Sequence, residues 1–482
     1  MAEKSLRTKT ISGVIWSAVQ KFGTLGISFI SNMVLARLLS PDDYGCIGML
    51  AIFIAVSMTF IDGGFGSALI QKKSPTQEDY STIFWWNLFI SIVLYILLYI
   101  SSPYIASFYN MEILSDVLRV QGIILILNAL NVIQTNQLRK KLQLRALAIV
   151  NLISSILSVI ITIYMAWKGF GIWALVAHQL LYSGFNAVLL WIKTGWLPSF
   201  TFSLDSFKSL FGFGGFILLS NIINTFCNNL QGLLIGKFFT PAITGYYTQA
   251  RKLEELASNT ISSVIDQVSY PVLAEFQNDH IGLVKSLRKF IVILAYLTFP
   301  IMSILILCAE PLITLVYSDK WLQSVPYFQV LCLAGFAICL QSINYNAIAA
   351  IGRSGKLFKW TLIKRGLGLI VLVSGLLLFD MDGLLAGVVL TSWIIYLINA
   401  YLVSKYLPYT LFEQFKDLLP VILISVISFI PSYFLSSFIS QHIYILAIIQ
   451  LFVFVIIYIV MSVIFRIAPY KDIKTLLFNK NR

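Results

Sequence analysis

Apolar runs occupy almost the whole of this 482-residue chain, too many and too evenly spaced for one soluble core. A bilayer's hydrocarbon layer takes roughly 20 consecutive apolar residues per helical crossing. Fourteen such runs lie near 11–36, 44–70, 82–108, 113–136, 146–167, 170–192, 209–236, 246–270, 288–317, 326–350, 358–379, 383–404, 417–438 and 441–465. Lipid offers no hydrogen bonds, so segments of this length must satisfy their backbone internally, as α-helices. The expected fold class is therefore an all-α integral membrane protein with 14 transmembrane helices. Composition agrees: 11% of residues are charged, against about 25% in soluble proteins.

A net charge of +13 raises the question of nucleic acid, but the placement of the charge answers it. With the amino terminus in the cytoplasm, that tail carries 3 Lys and Arg, and the even-numbered connections carry 2, 4, 2, 3, 5 and 2. With the carboxyl-terminal tail the cytoplasmic side holds 26, and the opposite side only Arg37, Lys168, Lys237 and Lys320. This asymmetry is the positive-inside pattern. It predicts both termini in the cytoplasm, no nucleic-acid partner, and membrane lipid of the anionic inner leaflet as a partner. Lys4, Arg7 and Lys9 precede an apolar stretch from Ile11 that is too long for a cleaved leader, so it reads as the first span. The five cysteines (Cys46, Cys227, Cys308, Cys332 and Cys339) fall in or beside spans without metal-ligand spacing and read as small apolar residues. No cofactor and no metal are expected.

The chain also repeats. Span 1 ends in Ala36-Arg37-Leu38-Leu39-Ser40-Pro41, with Tyr44-Gly45 following; span 7 ends in Gly236-Lys237-Phe238-Phe239-Thr240-Pro241, with Gly245-Tyr246 following. Both read small, basic, two apolar, hydroxyl, proline, then a Gly/Tyr pair. An offset of six spans is even, so the copies enter the membrane from the same side and form parallel repeats. The expected organisation is an amino-terminal lobe over 1–200, a second six-helix lobe over 205–408, and two further helices with a cytoplasmic tail over 409–482. The stretch 193–208 is the linker. Span 8 is too polar for hydropathy alone, but omitting it breaks the phase of the charges.

Polar residues inside spans recur at helical spacing. Ser17, Lys21, Thr24, Ser28 and Asn32 form one face of span 1; Asn221, Asn224, Asn228 and Gln231 form one of span 7. In span 8 the row is Arg251, Glu254 and Glu255, Ser258, Ser262, Asp266 and Ser269. Polar groups cost on the order of 1–3 kcal/mol or more facing lipid, so these faces are expected to line a wet cleft. For isolated hydroxyls and amides the blander reading, interhelical hydrogen bonds, is favoured. Lys21 is different because it lies near mid-bilayer, and Lys21→Ala is expected to impair function while leaving expression and folding largely intact. Lys21, Arg119, Arg251, Lys252, Asn221, Asn224, Asn228 and Gln231 are the candidate substrate-binding residues. Asp62, Glu254, Glu255, Asp266 and Glu310 are candidate coupling or gating carboxylates. Arg251 and Lys252 have an equally good reading as ion pairs with Glu254 and Glu255 along their own helix, Arg119 as a surface-reaching cation, and Asp62, Asp266 and Glu310 as helix-end carboxylates. Cations among amides and hydroxyls suit an anionic, sugar-rich head group, through charge-assisted bonds to phosphate.

At these residues the sequence resembles a known family. Ala36-Arg37-Leu38-Leu39-Ser40-Pro41-Asp42-Asp43-Tyr44-Gly45, the run from Asp62-Gly63-Gly64-Phe65-Gly66 to Gln71, and Gly171-Ile172-Trp173-Ala174-Leu175-Val176 are similar to the polysaccharide transporter family. Leu234-Ile235-Gly236-Lys237 and Tyr270-Pro271-Val272-Leu273 extend the likeness through about the first 350 residues. That family lies in the multidrug/oligosaccharidyl-lipid/polysaccharide exporter superfamily and includes Wzx-type flippases and teichuronic-acid exporters. The resemblance implies a flippase of the bacterial cytoplasmic (inner) membrane, moving undecaprenyl-diphosphate-linked oligosaccharide repeat units by alternating access. It implies a lipid-linked oligosaccharide substrate, with a polysaccharide polymerase or glycosyltransferases as further partners. Two departures matter: the family often has an aspartate in span 7 where this chain has Gln231, and span 1 lacks a carboxylate.

The alternatives are a multidrug or metabolite exporter of the same superfamily, a lipid II flippase, and a membrane polysaccharide polymerase or ligase. The last is an enzyme and needs a sizeable external loop bearing an acid, base or nucleophile. The external connections here are short, and His178, His280 and His442 are scattered. The expectation is a protein that is not an enzyme.

Overall fold

The computed structural model describes residues 2–467 except 64, 439–441 and 466. The described residues form helices and no strand, and they divide into two compact units, Met1–Thr248 and Gln249–Arg482. The boundary between these units falls inside a helix.

The first unit contains α1 (Ala2–Leu38), α2 (Pro41–Asp62), α3 (Phe65–Gln71), α4 (Gln77–Tyr109), α5 (Ile113–Gln121), α6 (Ile123–Lys140), α7 (Leu144–Trp167), α8 (Ile172–Thr194), α9 (Leu204–Phe238) and the start of α10 (Pro241–Glu275). The repeated hydroxyl-proline pair is a helix start in both places. Ser40 is the N-cap of α2: Asp43 N–H donates to its Oγ at 3.2 Å, and the Asp43 carboxylate accepts from Ser40 N–H at 2.9 Å. Pro41 follows in the first turn, where its missing N–H costs nothing. Thr240 stands in the same position before α10, accepting from Ile243 N–H at 3.4 Å, without the returning carboxylate.

The two copies also touch. A Cβ placed on Gly45 would lie 1.8 Å from the Pro241 carbonyl oxygen, and one on Gly245 would lie 2.0 Å from that of Pro41. Each glycine thus receives the other copy's first turn, a reciprocal crossing that only a residue without Cβ allows. Gly171, the first residue of the Gly-Ile-Trp motif, adopts a left-handed φ of 53° beside the Asp43 carboxylate. The motifs behind the family resemblance are therefore helix caps and close backbone approaches.

The second unit takes the rest of α10, then α11 (His280–Leu307), α12 (Ala309–Val316), a 3₁₀ turn at Asp319–Trp321, α13 (Ser324–Ala350), α14 (Ser354–Tyr406), α15 (Leu411–Phe438) and α16 (Ile443–Ile464). Arg288 of α11 grips Asp417 of α15 through two bonds, Nε to Oδ2 at 2.8 Å and Nη2 to Oδ1 at 2.9 Å. Tyr409 Oη adds a third at 2.8 Å to the same carboxylate. Tyr458 of α16 donates to the Tyr296 carbonyl of α11 at 2.9 Å.

Helix α14 is two antiparallel arms. Helical geometry breaks at Phe379 and Asp380, the latter at φ 52°, ψ −134°, where the spans expected over 358–379 and 383–404 meet. The arms pack on glycine: a Cβ on Gly375 would meet the Gly383 carbonyl oxygen at 2.3 Å, and the converse distance is 2.0 Å. Ten helices among the described residues are long and apolar enough to cross a membrane, counting α5 with α6 and all of α14 as single spans. The fold is that of a polytopic all-helical membrane protein; α1, α9 and α10, of 37, 35 and 35 residues, lie outside those ten.

Candidate functional site

In the first unit, helices α2, α6 and α9 line an open polar cavity of about 550 Å³. From α9 it receives Asn221, Asn224, Thr225 and Asn228, and from α2 Met58, Thr59, Ile61 and Asp62. From α6 come Asn128, Asn131, Val132, Thr135, Asn136 and Arg139. Three of its walls are thus successive turns of three helices, because residues three or four apart share a helix face.

Local structure aims the polar groups. Asp62 is the last residue of α2, which Gly63 ends in a left-handed turn (φ 53°) with its N–H on the Thr59 carbonyl. The carboxylate therefore stands at a break in the helix, where chain direction changes into α3. A Cβ on Gly66 of α3 would come within 2.8 Å of the Asn136 amide, so that glycine lets the α6 wall approach. Thr59 Oγ1 and Thr225 Oγ1 meet at 3.0 Å and join the α2 and α9 walls. Asn128 donates to the Ile124 carbonyl at 3.0 Å, and Asn131 donates to the Ser183 carbonyl at 3.2 Å. The Asn131 carbonyl oxygen is buried with no hydrogen-bond partner among the described residues. Arg139 and Asp62 line the cavity together and act on each other electrostatically. No salt bridge joins them among the described residues.

Such a wall can do one kind of chemistry well. Each asparagine offers two N–H donors and a carbonyl acceptor, and each threonine a hydroxyl that does both. A sugar presents the same mixture, so its hydroxyls exchange water for protein without losing hydrogen bonds. One guanidinium and one carboxylate add local charge of both signs.

Of the residues expected to bind substrate, the cavity brings together Asn221, Asn224 and Asn228, with Asp62 from the expected coupling set. It does not include Lys21, which is exposed on α1. Gln231 is not among the cavity's lining residues and accepts from Tyr247 Oη at 2.5 Å. Arg119 sits against α4, donating to Ser102 Oγ at 3.0 Å, pairing with Asp116 at 3.5 Å and lying over the Tyr99 ring.

The other expected residues belong to the second unit. Arg251 pairs with Glu255 at 2.7 Å, one helical turn along α10, so the ion-pair reading holds for those two. Lys252 is the neighbouring residue of the same helix. Glu254 turns instead into the interior: it is 3% exposed, and its Oε1 has no hydrogen-bond partner among the described residues. Gly335 of α13 leaves the room, since a Cβ there would sit 2.9 Å from that oxygen and 2.9 Å from Met302 Sδ. Asp266 accepts from Asn346 of α13 at 2.9 Å. Glu310 is exposed in the first turn of α12.

Two groups escape the sequence argument. The α6 row of Asn128, Asn131, Thr135 and Arg139 has the same helical spacing that marks spans 1, 7 and 8, and that spacing was the available signal. Lys364 counts with the cytoplasmic charges by position, yet it lies in the first arm of α14, 6% exposed, donating to Asn399 Oδ1 of the second arm at 2.8 Å. No sequence period marks it.

Comparison with known proteins places this geometry. The teichuronic acid biosynthesis protein TuaB of Bacillus subtilis is 27% identical over 358 residues, covering 74% of each chain. The lipopolysaccharide biosynthesis protein WzxC of Escherichia coli is 23% identical over 412 residues, 83% of this chain and 82% of that one. Among solved structures, the lipid II flippase MurJ in an inward closed conformation matches with a TM-score of 0.76 at 17% identity, over 95% of this chain and 99% of that one. An inward-facing multidrug transporter of the MOP superfamily matches at 0.62 and 13% identity, over 82% and 98%. These likenesses establish a shared fold. The family model described as polysaccharide biosynthesis protein matches residues 34–326, and the chain belongs to that family.

Proposed function

We propose that this protein is a flippase that carries undecaprenyl-diphosphate-linked oligosaccharide repeat units across the bacterial cytoplasmic membrane by alternating access. Its product would feed a surface polysaccharide such as O-antigen, capsule or exopolysaccharide. The observation that carries the reading is a cavity walled by six asparagines and three threonines inside apolar helices, in a member of a polysaccharide biosynthesis family. The sugars occupy the amide wall while the prenyl chain stays in lipid. Arg139 holds an anionic group of the substrate by a charge-assisted hydrogen bond, and Asp62 bonds hydroxyls at the helix break.

In this reading α1, α9 and α10 also cross the membrane, and the arms of α14 cross separately, giving fourteen spans. Both termini lie in the cytoplasm, and the lobes 1–200 and 205–408 are the moving halves. The protein makes and breaks no covalent bond, and a polymerase or glycosyltransferases act before or after it. The names of TuaB and WzxC, each a biosynthesis protein of a surface glycan, support this assignment over drug export.

The test is deletion of the gene followed by extraction of prenyl-linked intermediates and assignment of the leaflet that holds them. Complete repeat units held on the cytoplasmic face, rescued by the wild-type gene but poorly by Asn224→Ala with Arg139→Ala, are the expected result. Normal intermediates with altered sensitivity to toxic compounds would replace this reading with drug export, and trapped lipid II would replace the substrate.

A further inference from the structure

The connection from α8 to α9 is more than a tether. Residues 195–203 have no regular secondary structure, yet they are pinned along the first turns of α4 from end to end. Trp196 Nε1 donates to Gln77 Oε1 at 2.6 Å, and Gln77 Nε2 donates to the Leu197 carbonyl at 2.8 Å. Ser199 N–H donates to Ser81 Oγ at 3.0 Å, and Trp85 Nε1 returns to the Ser199 carbonyl at 2.8 Å. Ser203 N–H closes the series on Thr82 Oγ1 at 3.0 Å. Four of the strap's backbone groups are thus bonded to α4 side chains, which fixes what its own side chains present.

They present apolar surface. Leu197 is 70% exposed, Phe200 94%, Phe202 49% and Leu204 63%. A strap in water has no physical reason to expose four large apolar side chains within eight residues. Its surroundings are net basic, with Glu78, Asp79 and Asp205 as acidic residues at the same end. The same end of this unit, where α3, α6 and α8 finish and α4, α7 and α9 begin, carries Lys72, Lys73, Lys140, Lys141, Lys193 and Lys208. The opposite end, at the α1–α2, α7–α8 and α9–α10 connections, has Arg37, Lys168 and Lys237. Apolar side chains flanked by lysine, with Trp85 and Trp196 between, are the chemistry of a segment lying in a lipid interface with anionic head groups.

We infer that residues 195–204 are an interfacial anchor, with Leu197, Phe200, Phe202 and Leu204 seated at the acyl boundary of the anionic leaflet and Lys193 and Lys208 on its phosphates. The partner is the bilayer surface, a role beyond the substrate cavity and independent of which glycan is carried. It gives the joint between the repeats a fixed depth in the membrane.

The experiment uses the full chain with Cys227→Ser and Cys308→Ser, in nanodiscs of phosphatidylethanolamine with phosphatidylglycerol. A nitroxide is placed at Phe200→Cys, at Leu204→Cys, or at Lys73→Cys as the aqueous reference. Oxygen collisions should exceed those of a water-soluble nickel chelate several-fold at 200 and 204, with the reverse at 73. In Lys193→Gln with Lys208→Gln, the label at 200 should move toward water in phosphatidylglycerol discs and not in phosphatidylcholine discs. Labels at 200 and 204 as open to the chelate as the one at 73 would overturn the anchor. So would labels open in discs but shielded in native membranes, which would mean a protein partner. An unchanged label depth in the double glutamine variant would overturn the anionic-lipid part. Two label sites guard against a folding defect at either one, and Phe200 at 94% exposed has little packing to lose.

Discussion

Gly45→Ala tests the reciprocal crossing of the two repeats. The added methyl would lie 1.8 Å from the Pro241 carbonyl oxygen. An ordinary carbon–oxygen contact is above about 3.2 Å, so α2 and the start of α10 would have to separate by roughly 1.5 Å. Overpacking of this kind costs typically ~1–3 kcal/mol, and the obstacle here is backbone, which cannot rotate away. A unit of 248 residues loses about 2–4 °C per kcal/mol, so the melting temperature of the purified protein should fall by roughly 2–12 °C. Gly245→Ala should match it, because a Cβ there meets the Pro41 carbonyl at 2.0 Å. The double variant should cost less than the sum, since one separation relieves both clashes. Gly26→Ala in α1, with nothing within 4 Å, is the control; it should be neutral or stabilising by up to ~1 kcal/mol. A Gly45→Ala protein that melts with the wild type would refute the crossing.

Four further substitutions probe the second unit. Arg288→Ala should destabilise by about 1–2 kcal/mol, discounted for an arginine 42% exposed. Asp417→Asn should cost nearly as much, and a double-mutant melting cycle that shows additivity would deny the coupling. Glu254→Gln should fold and melt at or slightly above the wild type, because a carboxylate 3% exposed with one oxygen unpartnered loses more to desolvation than it recovers from its neighbours; a loss beyond ~1 kcal/mol would mean that the charge is stabilised there. Asp380→Gly should raise thermal stability by about 1 kcal/mol, since φ 52°, ψ −134° favours glycine, and a drop in melting temperature would show that the aspartate side chain supports the turn.

The sequence carried the class and the architecture further than it carried the site. Hydropathy alone locates most helices, and the positive-inside phase rescues α10, whose polar row Glu254 to Ser269 hides a 35-residue helix. The Ser40-Pro41 and Thr240-Pro241 pairs were legible because N-caps and first-turn prolines are local chemistry. That Gly45 and Gly245 face each other's proline was not, because a contact across 200 residues leaves no local trace. In the cavity, the Asn221, Asn224 and Asn228 row was readable from its spacing and the α6 row equally so. Lys21 drew attention as a mid-span charge and Arg119 as a cation within a span, but position along a helix says nothing about which side of the helix faces a cavity. Lys364 shows the same limit in reverse: six residues into its expected span it resembles a boundary charge, and only the packing of the other arm buries it.

That buried lysine bears on how the chain is made. A turn of two residues leaves the arms of α14 no length to enter a bilayer one after the other, so they are expected to leave the translocon as a single helical hairpin. Lys364 and Asn399 are 35 positions apart in sequence and bonded at 2.8 Å, so the pair can form before either faces lipid. The ammonium then crosses with its partner already in place, and the insertion cost of a lone lysine, about 2.5–3.5 kcal/mol at a helix centre, is partly met by the second arm. Truncating the chain after Phe379 should therefore lower membrane integration of the first arm in a glycosylation-mapping assay, and Lys364→Leu should restore it. Equal integration with and without the second arm would show that each arm enters alone.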